Sequence, residues 1–414
     1  MSLISVEEAL RRVLAAAGEP LPTEMVPLAA SRGRTLGADL RALRTQPPFP
    51  ASAMDGYALR AEDARAGARL RVIGEAVAGR RFPGSVGPGE SVRIFTGAPV
   101  PEGADAILIQ ENARREGDCV SVVEAPSPGR FLRPAGLDFH EGDVLLRSGR
   151  RLDATALALA AAMGHPSLPV RRRPRVGILA TGDELVRPGT APGPDQIVAS
   201  NLYAVAALAE EAGAQAVDLG IAVDDPARLR AAIEGGLADG LDLLVTLGGA
   251  SVGEHDLVRS TMEAMGLELG FWRIAMRPGK PLLQGRLGRT LAIGLPGNPV
   301  SAIVCAILFV VPAIRALQGD PRAGDDPSEP AILGADLRAN DARQDYLRAV
   351  LARPAATGPP VATPAAAQDS SMLRLLAEAD ALLIRAPHAP ATRAGEACRI
   401  VPLARFREGP LTGR

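Results

Sequence analysis

The sequence is poor in lysine, aromatics, cysteine and histidine, and it carries almost no net charge. Among 46 basic residues only one is a lysine, Lys280. Aromatics make up 3% of the 414 residues, too few for the stacking platforms that single-stranded nucleic acid requires. A formal charge of −1 removes the electrostatic basis for a nucleic-acid coat or an anionic membrane surface as partner. The three cysteines, Cys119, Cys305 and Cys398, are odd in number and far apart. They argue against both a disulfide framework and a thiolate zinc site. The four histidines show no H-x-x-x-H spacing, so there is no local imidazole metal signature. Met1 to Leu14 lacks the unbroken apolar stretch of a signal peptide. The longest apolar run, Pro299 to Leu317, contains Pro312 and reads as a buried helix rather than a membrane span. The cytoplasm is the compartment these features predict.

What is present is a globular composition, 47% hydrophobic, long enough for about two to four domains. Ser5 and Glu8 have capping-box spacing and predict a helix from there to about Ala17. From Leu40 to Arg150, short β-like runs alternate with Gly/Pro turns, which predicts an all-β module. From Arg175 onward strands and helices alternate, which predicts an α/β layer with a largely parallel sheet. Residues 320–329 read as a linker, and the remainder as a small β domain. Within it, Pro354–Ala367 reads as a loop.

Four glycine-containing loops in the α/β part carry chemistry. In open α/β sheets ligands sit outside the carboxyl ends of the strands. Thr181-Gly-Asp-Glu184 offers two adjacent carboxylates for a hydrated divalent ion or a ligand hydroxyl. Gly248-Gly249-Ala-Ser251-Val-Gly253 exposes backbone N–H groups to an anion, with the Ser251 hydroxyl beside them. It is neither a Walker A loop nor a dinucleotide fingerprint. Arg277-Pro-Gly-Lys280, with Arg273 shortly before it, suits a phosphate or a tetrahedral oxyanion. Pro296-Gly-Asn298-Pro299-Val-Ser301 places Ser301 in a first helical turn, where N–H groups are unpaired. Each loop also has a plain reading as turn or helix-start chemistry. Together they predict an anion-binding site with a metal-binding side.

In their order and spacing these loops resemble the molybdenum cofactor biosynthesis proteins. Ser52-Ala-Met-Asp-Gly-Tyr-Ala58 and Phe95-Thr-Gly-Ala-Pro-Val-Pro101 narrow the resemblance to the family of MoeA and the gephyrin E domain. The resemblance spans essentially the whole chain. It implies a fold that is multi-domain α/β plus β, in an elongated subunit. The implied parts are a discontinuous extended N-terminal domain (1–42 and 135–172) and an inserted β domain (43–134). A MogA-like α/β domain that binds molybdopterin (173–322) and a C-terminal β domain (323–414) follow. It implies molybdopterin molybdenumtransferase activity, in which adenylylated molybdopterin and molybdate give molybdenum cofactor and AMP with Mg²⁺ or a similar divalent ion. It also implies a homodimer whose cleft joins the Asp55 domain of one subunit to the α/β domain of the other. A MogA-type adenylyltransferase and molybdoenzyme chaperones are candidate further partners.

By position in these motifs, Asp55, Thr96, Asp138, Glu184 and Asp256 correspond to the family's catalytic residues, with Asp55, Glu184 and Asp256 as metal ligands. Either Asp224 or Asp225 corresponds to a further site acid. Gly249, Ser251, Arg273, Arg277, Lys280, Pro296, Asn298, Pro299 and Ser301 correspond to substrate-binding positions, and Arg343 and Ser370 align more loosely with residues that hold molybdate. Arg273 and Arg277 stand where the family pattern leads one to expect lysine. Arginine keeps the charge but is no proton carrier near neutral pH. Two other readings remain. One is a scaffold of gephyrin type, against which the intact acidic and Ser/Lys motifs speak. The other is a nucleotide hydrolase of CinA type, against which residues 43–134 speak.

Overall fold

The computed structural model describes residues 3–249, 257–352 and 358–406, apart from the side chain of Arg405. The chain first builds a helix, Val6–Ala17, whose N-cap Ser5 accepts a hydrogen bond from the Glu8 N–H at 3.1 Å. Arg11 and Arg12 both pair with Glu8 on its outer face. Its inner face, Ala9, Val13 and Ala17, sits in the core of the α/β layer rather than with the rest of segment 1–42. The small side chains let the helix lie close against Val311–Leu317.

Thr23–Pro27 pairs antiparallel with Ser167–Arg171, and Leu40–Arg41 with Val144–Leu146. These pairings bring residues far apart in sequence around one core of Leu36, Leu40, Phe139, Leu152, Met163 and Leu168. Helix Ala154–Ala162, capped by Asp153, closes it. Between these returns lies a six-stranded sheet. Its order is Ala106–Ile109, Gly56–Leu59, Glu90–Ile94, Arg69–Ala76, Cys119–Val122 and Ala113–Glu116. It is the expected all-β module, with apolar side chains packed on both faces.

The α/β sheet runs Gln215–Ala222, Arg175–Thr181, Leu243–Leu247, Thr290–Leu295, Pro281–Leu287 and Glu268–Arg273. The first four strands are parallel and the last two form an antiparallel edge. That edge is not evident in the sequence, because glycine, glutamine and arginine interrupt its apolar alternation. Helices Val6–Ala17, Asn201–Glu211 and the Pro299–Leu317 segment cover one face, and Pro226–Ala238 and Leu257–Ala264 the other. The Pro299–Leu317 segment is buried core, as expected, with 78% of its apolar window inside the protein. It is continuous through Pro312, because a π-helical turn at Ala306–Val310 precedes that residue and widens the ladder where the N–H is missing.

The C-terminal strands close into a barrel. Gln344–Ala352 pairs with Val361–Pro364 on one side and Ala381–Arg385 on the other. The ring continues through Glu329–Leu333 and Ala397–Pro402. Val361–Pro364 falls in the stretch expected to be a loop. Its alanines and prolines hide a strand whose Ala362 is fully buried in the barrel core. Met276–Arg277, from the α/β part, adds to the barrel in parallel with Gln344–Asp345. That strand and the Pro299 helix start join the two units.

Candidate active site

The four motif loops meet at the carboxyl edge of the parallel strands. The Thr181 hydroxyl donates to Leu247 O at 3.3 Å, and Gly248 N–H to Leu295 O at 3.1 Å. Gly248 needs its missing side chain: its φ is +94° and a Cβ there would meet Thr181 O at 2.7 Å. Asn201 Nδ2 donates to Gly297 O at 2.7 Å, tying the fourth loop to the next helix. Gly279, in the basic turn, lies against the Cys305 sulfur on the Pro299 helix. One edge therefore holds all four segments. Ser251 and Asp256 lie outside the described residues, so the glycine-rich loop is placed only as far as Gly249.

Glu184 is exposed, and its carboxylate folds back over Gly182, where any Cβ would meet it at 2.2 Å. Neighbouring Asp183 accepts a hydrogen bond from the Asp224 N–H at 3.0 Å, which couples the loops after two adjacent strands. The paired aspartates differ in what their side chains hold. Asp225 is the N-cap of Pro226–Ala238 and accepts from Arg228 N–H at 2.8 Å. The Asp224 carboxylate is exposed and makes no hydrogen bond or ion pair among the described residues.

Around the basic turn the cations differ in what they face. Arg273 stacks over Trp272, its guanidinium 4.1 Å from the ring centroid, with Arg259 at 4.4 Å from the same ring. Arg277 reaches into the C-terminal barrel, pairing with Asp345 and, at 3.4 Å, with Asp341. Arg343 grips the same Asp341 at 2.8 Å. That grip, with the Arg343 N–H and the Arg277 charge, holds the Asp341 carboxyl down at about 2. Lys280 is half-buried, and among the described residues its ammonium has no hydrogen bond or ion pair. Its carbonyl accepts from Ile274 N–H at 3.1 Å.

The barrel reaches the fourth loop through Ser370. Its hydroxyl accepts from Asn298 Nδ2 at 2.9 Å and its carbonyl from Val300 N–H at 3.0 Å. Pro296 and Ser301 are buried beside this contact, and Pro299 starts the helix. One residue away, Asp369 O accepts from Arg348 Nη2 at 2.9 Å. Arg348 is 1% exposed, its Nε has no acceptor among the described residues, and it forms no ion pair there. Burial pulls its pKa below the usual arginine range. It lines a cavity of about 650 Å³ together with Arg277, Pro278, Asp345 and Gln368. A buried guanidinium with no ion pair among the described residues, facing a cavity, can take an anion. The motif reading of the sequence misses it. Its signal is a lone charge inside the apolar run Tyr346-Leu-Arg-Ala-Val350 of a strand.

Asp55 and Thr96 lie apart from this edge but together with each other. Asp55 Oδ1 accepts from both the N–H and the hydroxyl of Thr96, each at 2.8 Å. Those two bonds hold the Asp55 carboxyl below the usual carboxylate range, and the Arg93 charge adds to them. Asp138 is exposed, and its side chain makes no contact with that pair through a hydrogen bond or ion pair. Among the described residues no hydrogen bond, ion pair or strand pairing joins segment 43–134 to the α/β sheet. No three carboxylate, imidazole or thiolate groups among them come close enough to share an ion.

These features define an α/β ligand-binding domain with a β-barrel docked on its carboxyl edge and a separate β module bearing an Asp–Thr pair. The chain matches the MoeA N-terminal region (domain I and II) over residues 4–164, a probable molybdopterin binding domain over 177–316, and the MoeA C-terminal region (domain IV) over 330–403. It is 35% identical to the molybdopterin molybdenumtransferase of Haemophilus influenzae, over 84% of this chain and 85% of that one. It is 38% identical to molybdopterin molybdenumtransferase 2 of Mycobacterium tuberculosis, over 86% and 89%. The crystal structure of the molybdopterin biosynthesis MoeA protein from Pyrococcus horikoshii superposes with a TM-score of 0.82 at 28% identity, covering 97% of this chain and all of that one. The chain belongs to the MoeA family.

Proposed function

We infer that the protein is a molybdopterin molybdenumtransferase of molybdenum cofactor biosynthesis, with molybdate and molybdopterin as substrates. The observation that carries this is identity of 35–38% across most of the chain to proteins of that name. The finer assignments rest on the site. The substrate is adenylylated molybdopterin, whose pyrophosphate P–O bond breaks as AMP leaves. Its phosphates fit the Gly249 backbone N–H and the first turn of the Pro299 helix at Ser301, since the Gly248 N–H is taken by Leu295 O. Asn298 and Ser370 hold that start against the barrel.

Molybdate is a small tetrahedral dianion and needs cations and hydroxyls that are already in place. Arg348 joins the motif residues Ser251, Lys280, Ser301 and Ser370, because its buried guanidinium forms no ion pair among the described residues and its Nε has no acceptor there. Arg277 and Arg343 border the site, but an oxyanion would compete with Asp341 and Asp345 for them. Arg273 supports the edge through Trp272. Asp224, rather than the capping Asp225, serves as the further site acid.

Asp55 and Glu184 share no contact within one chain, which supports a homodimer in which the Asp55–Thr96 pair and Asp138 of one subunit face the Glu184 edge of the other. Mg²⁺ or a similar ion favours the carboxylate oxygens that Asp55, Glu184 and Asp256 offer. In the homodimer Asp55 of one subunit and Glu184 and Asp256 of the other would supply that set together. When bound, the ion would neutralise phosphate charge. The compartment we assign is the cytoplasm, where an adenylyltransferase of MogA type would supply the substrate and molybdoenzyme chaperones would receive the product. Reconstitution of a molybdoenzyme with this protein, molybdate and adenylylated molybdopterin tests the function. Single-turnover AMP release unchanged in Glu184→Ala would remove Glu184 from the reaction.

A further inference from the structure

Arg93 occupies an unusual setting for a chain with so few aromatics. Its guanidinium lies 5.1 Å from the Tyr57 ring centroid and 4.8 Å from that of Phe95. The strand geometry creates this. Phe95 directly follows the strand Glu90–Ile94, two residues on from Arg93, while Tyr57 is Arg93's direct cross-strand partner. Among the described residues no other arginine stacks on two different rings.

The hydrogen bonds of this clamped guanidinium point at one place. Arg93 Nη1 donates to Gly56 O at 3.2 Å, and Nη2 to Gln110 Oε1 at 2.9 Å. Gln110 N–H in turn donates to Asp55 O at 3.1 Å. Both carbonyls of the Asp55–Gly56 pair are therefore held, one directly by Arg93 and one through Gln110. Below them, Gly56 rests on the neighbouring strand so closely that a Cβ would meet Leu108 O at 2.1 Å. Arg93 and Thr96 lie on the same chain segment, three residues apart, one fixing the backbone and the other the carboxylate.

We propose that Arg93 is a positioning residue for the transferase reaction, fixing the backbone from which the Asp55 carboxylate projects. It touches neither substrate nor reacting atoms; it acts through Asp55. The sheet does not need Arg93 for its own cohesion, since Gly56–Leu59 and Glu90–Ile94 already share four registered pairs over an apolar core. A displaced carboxylate degrades the chemical step more than ground-state binding.

The inference rests on the transferase reading, and wild-type AMP release in the same assay separates the two. If the wild type releases no AMP from adenylylated molybdopterin and molybdate, the functional reading falls and takes this inference with it. With an active wild type, Arg93→Met should lower kcat by about tenfold or more while KM for adenylylated molybdopterin stays within about twofold. Arg93→Lys should recover part of the loss. Gln110→Ala, which removes the side-chain acceptor of Arg93 but keeps the Gln110 N–H bond to Asp55 O, should give a smaller fall of the same kind. In an Asp55→Asn background Arg93→Met should add nothing, because its route of action is gone. An Arg93→Met enzyme with wild-type kcat, or an equal further loss in the Asp55→Asn background, overturns the proposal. If Arg93→Met does not fold by circular dichroism, Arg93→Gln decides, and wild-type kcat in that variant is the overturning result.

Discussion

A single carboxylate oxygen, Asp55 Oδ1, takes both the backbone N–H and the hydroxyl of Thr96 at 2.8 Å. The two residues are 41 positions apart, in two motifs that stand out separately in the sequence. The backbone bond survives any substitution of Thr96 except proline, so the hydroxyl can be tested alone. A hydrogen bond to a charged group is stronger than one between neutral groups. Thr96→Val should therefore lower the AMP-release rate by roughly 10- to 100-fold, and Thr96→Ser should remain near wild type. A Thr96→Val enzyme at full rate would show that the backbone bond alone orients Asp55.

The adjacent acids Asp224 and Asp225 should separate stability from activity. Asp225→Ala removes the N-cap of Pro226–Ala238, at a cost of about 1 kcal/mol. It should lower the melting temperature by a few degrees and leave turnover near wild type. Asp224→Ala breaks no side-chain bond among the described residues, so it should melt normally and lose turnover. Thermal melts and AMP release on the same two preparations check both; the reverse pattern would make Asp225 the site acid.

How much of the molecule is legible in its sequence follows from the kind of signal. The Ser5–Glu8 cap, the parallel strands and the four loops are readable because cap spacing, apolar periodicity and turn glycines are local. The Glu268–Arg273 and Pro281–Leu287 edge is not, because its pairing stabilises strands whose own alternation is broken. Val361–Pro364 is a strand only because two others flank it in the barrel. The same holds at the site. Sequence can mark Arg277, but not that Asp341 and Asp345 engage it, and it shows Arg348 only as a lone charge in an apolar run, not that its Nε lies buried without an acceptor among the described residues.

Arg348 should behave unlike an ordinary structural arginine. Replacing a buried cation that has no ion pair among the described residues by an apolar side chain of similar length removes a desolvation penalty and gives up one hydrogen bond to Asp369 O. Arg348→Met should keep or raise the melting temperature, while its KM for molybdate rises by about tenfold or more, the loss of one charge-assisted contact. A drop in stability with an unchanged KM would mean that Arg348 serves only to hold Asp369.

The Asp341 junction should weaken in acid. Its carboxyl lies at about 2 in the folded protein, against an ordinary value of 3.8. The folded value is depressed, so the contribution is fully present above about pH 4 and is lost as pH falls toward 2. Asp341 is exposed, so this part of the acid response is small. Asp341→Asn should remove it, flattening the melting-temperature profile between about pH 4 and 2 relative to wild type. Identical profiles would mean that the Arg277 and Arg343 contacts do not hold the barrel to the α/β edge.

Lys280 offers the sharpest single substitution. It is the only lysine in a chain that otherwise uses arginine for positive charge, and it sits in the turn that packs Gly279 against Cys305. Arg277, three residues earlier, engages two barrel carboxylates through its fork. Lys280 has no such partner among the described residues, so its ammonium is available to an incoming oxyanion. A compact ammonium offers a point charge where a guanidinium would present a wider planar fork. Lys280→Arg should keep the melting temperature but lower AMP release by about tenfold, and Lys280→Met should lower it further. Its uniqueness supplies an independent readout. An amine-selective reagent finds no other side-chain amine in the sequence, and peptide mapping separates Lys280 from the chain's terminal amine. Molybdate should protect Lys280 from that reagent in a concentration-dependent way. Full activity in Lys280→Arg, with labelling indifferent to molybdate, would make the lone lysine a compositional accident.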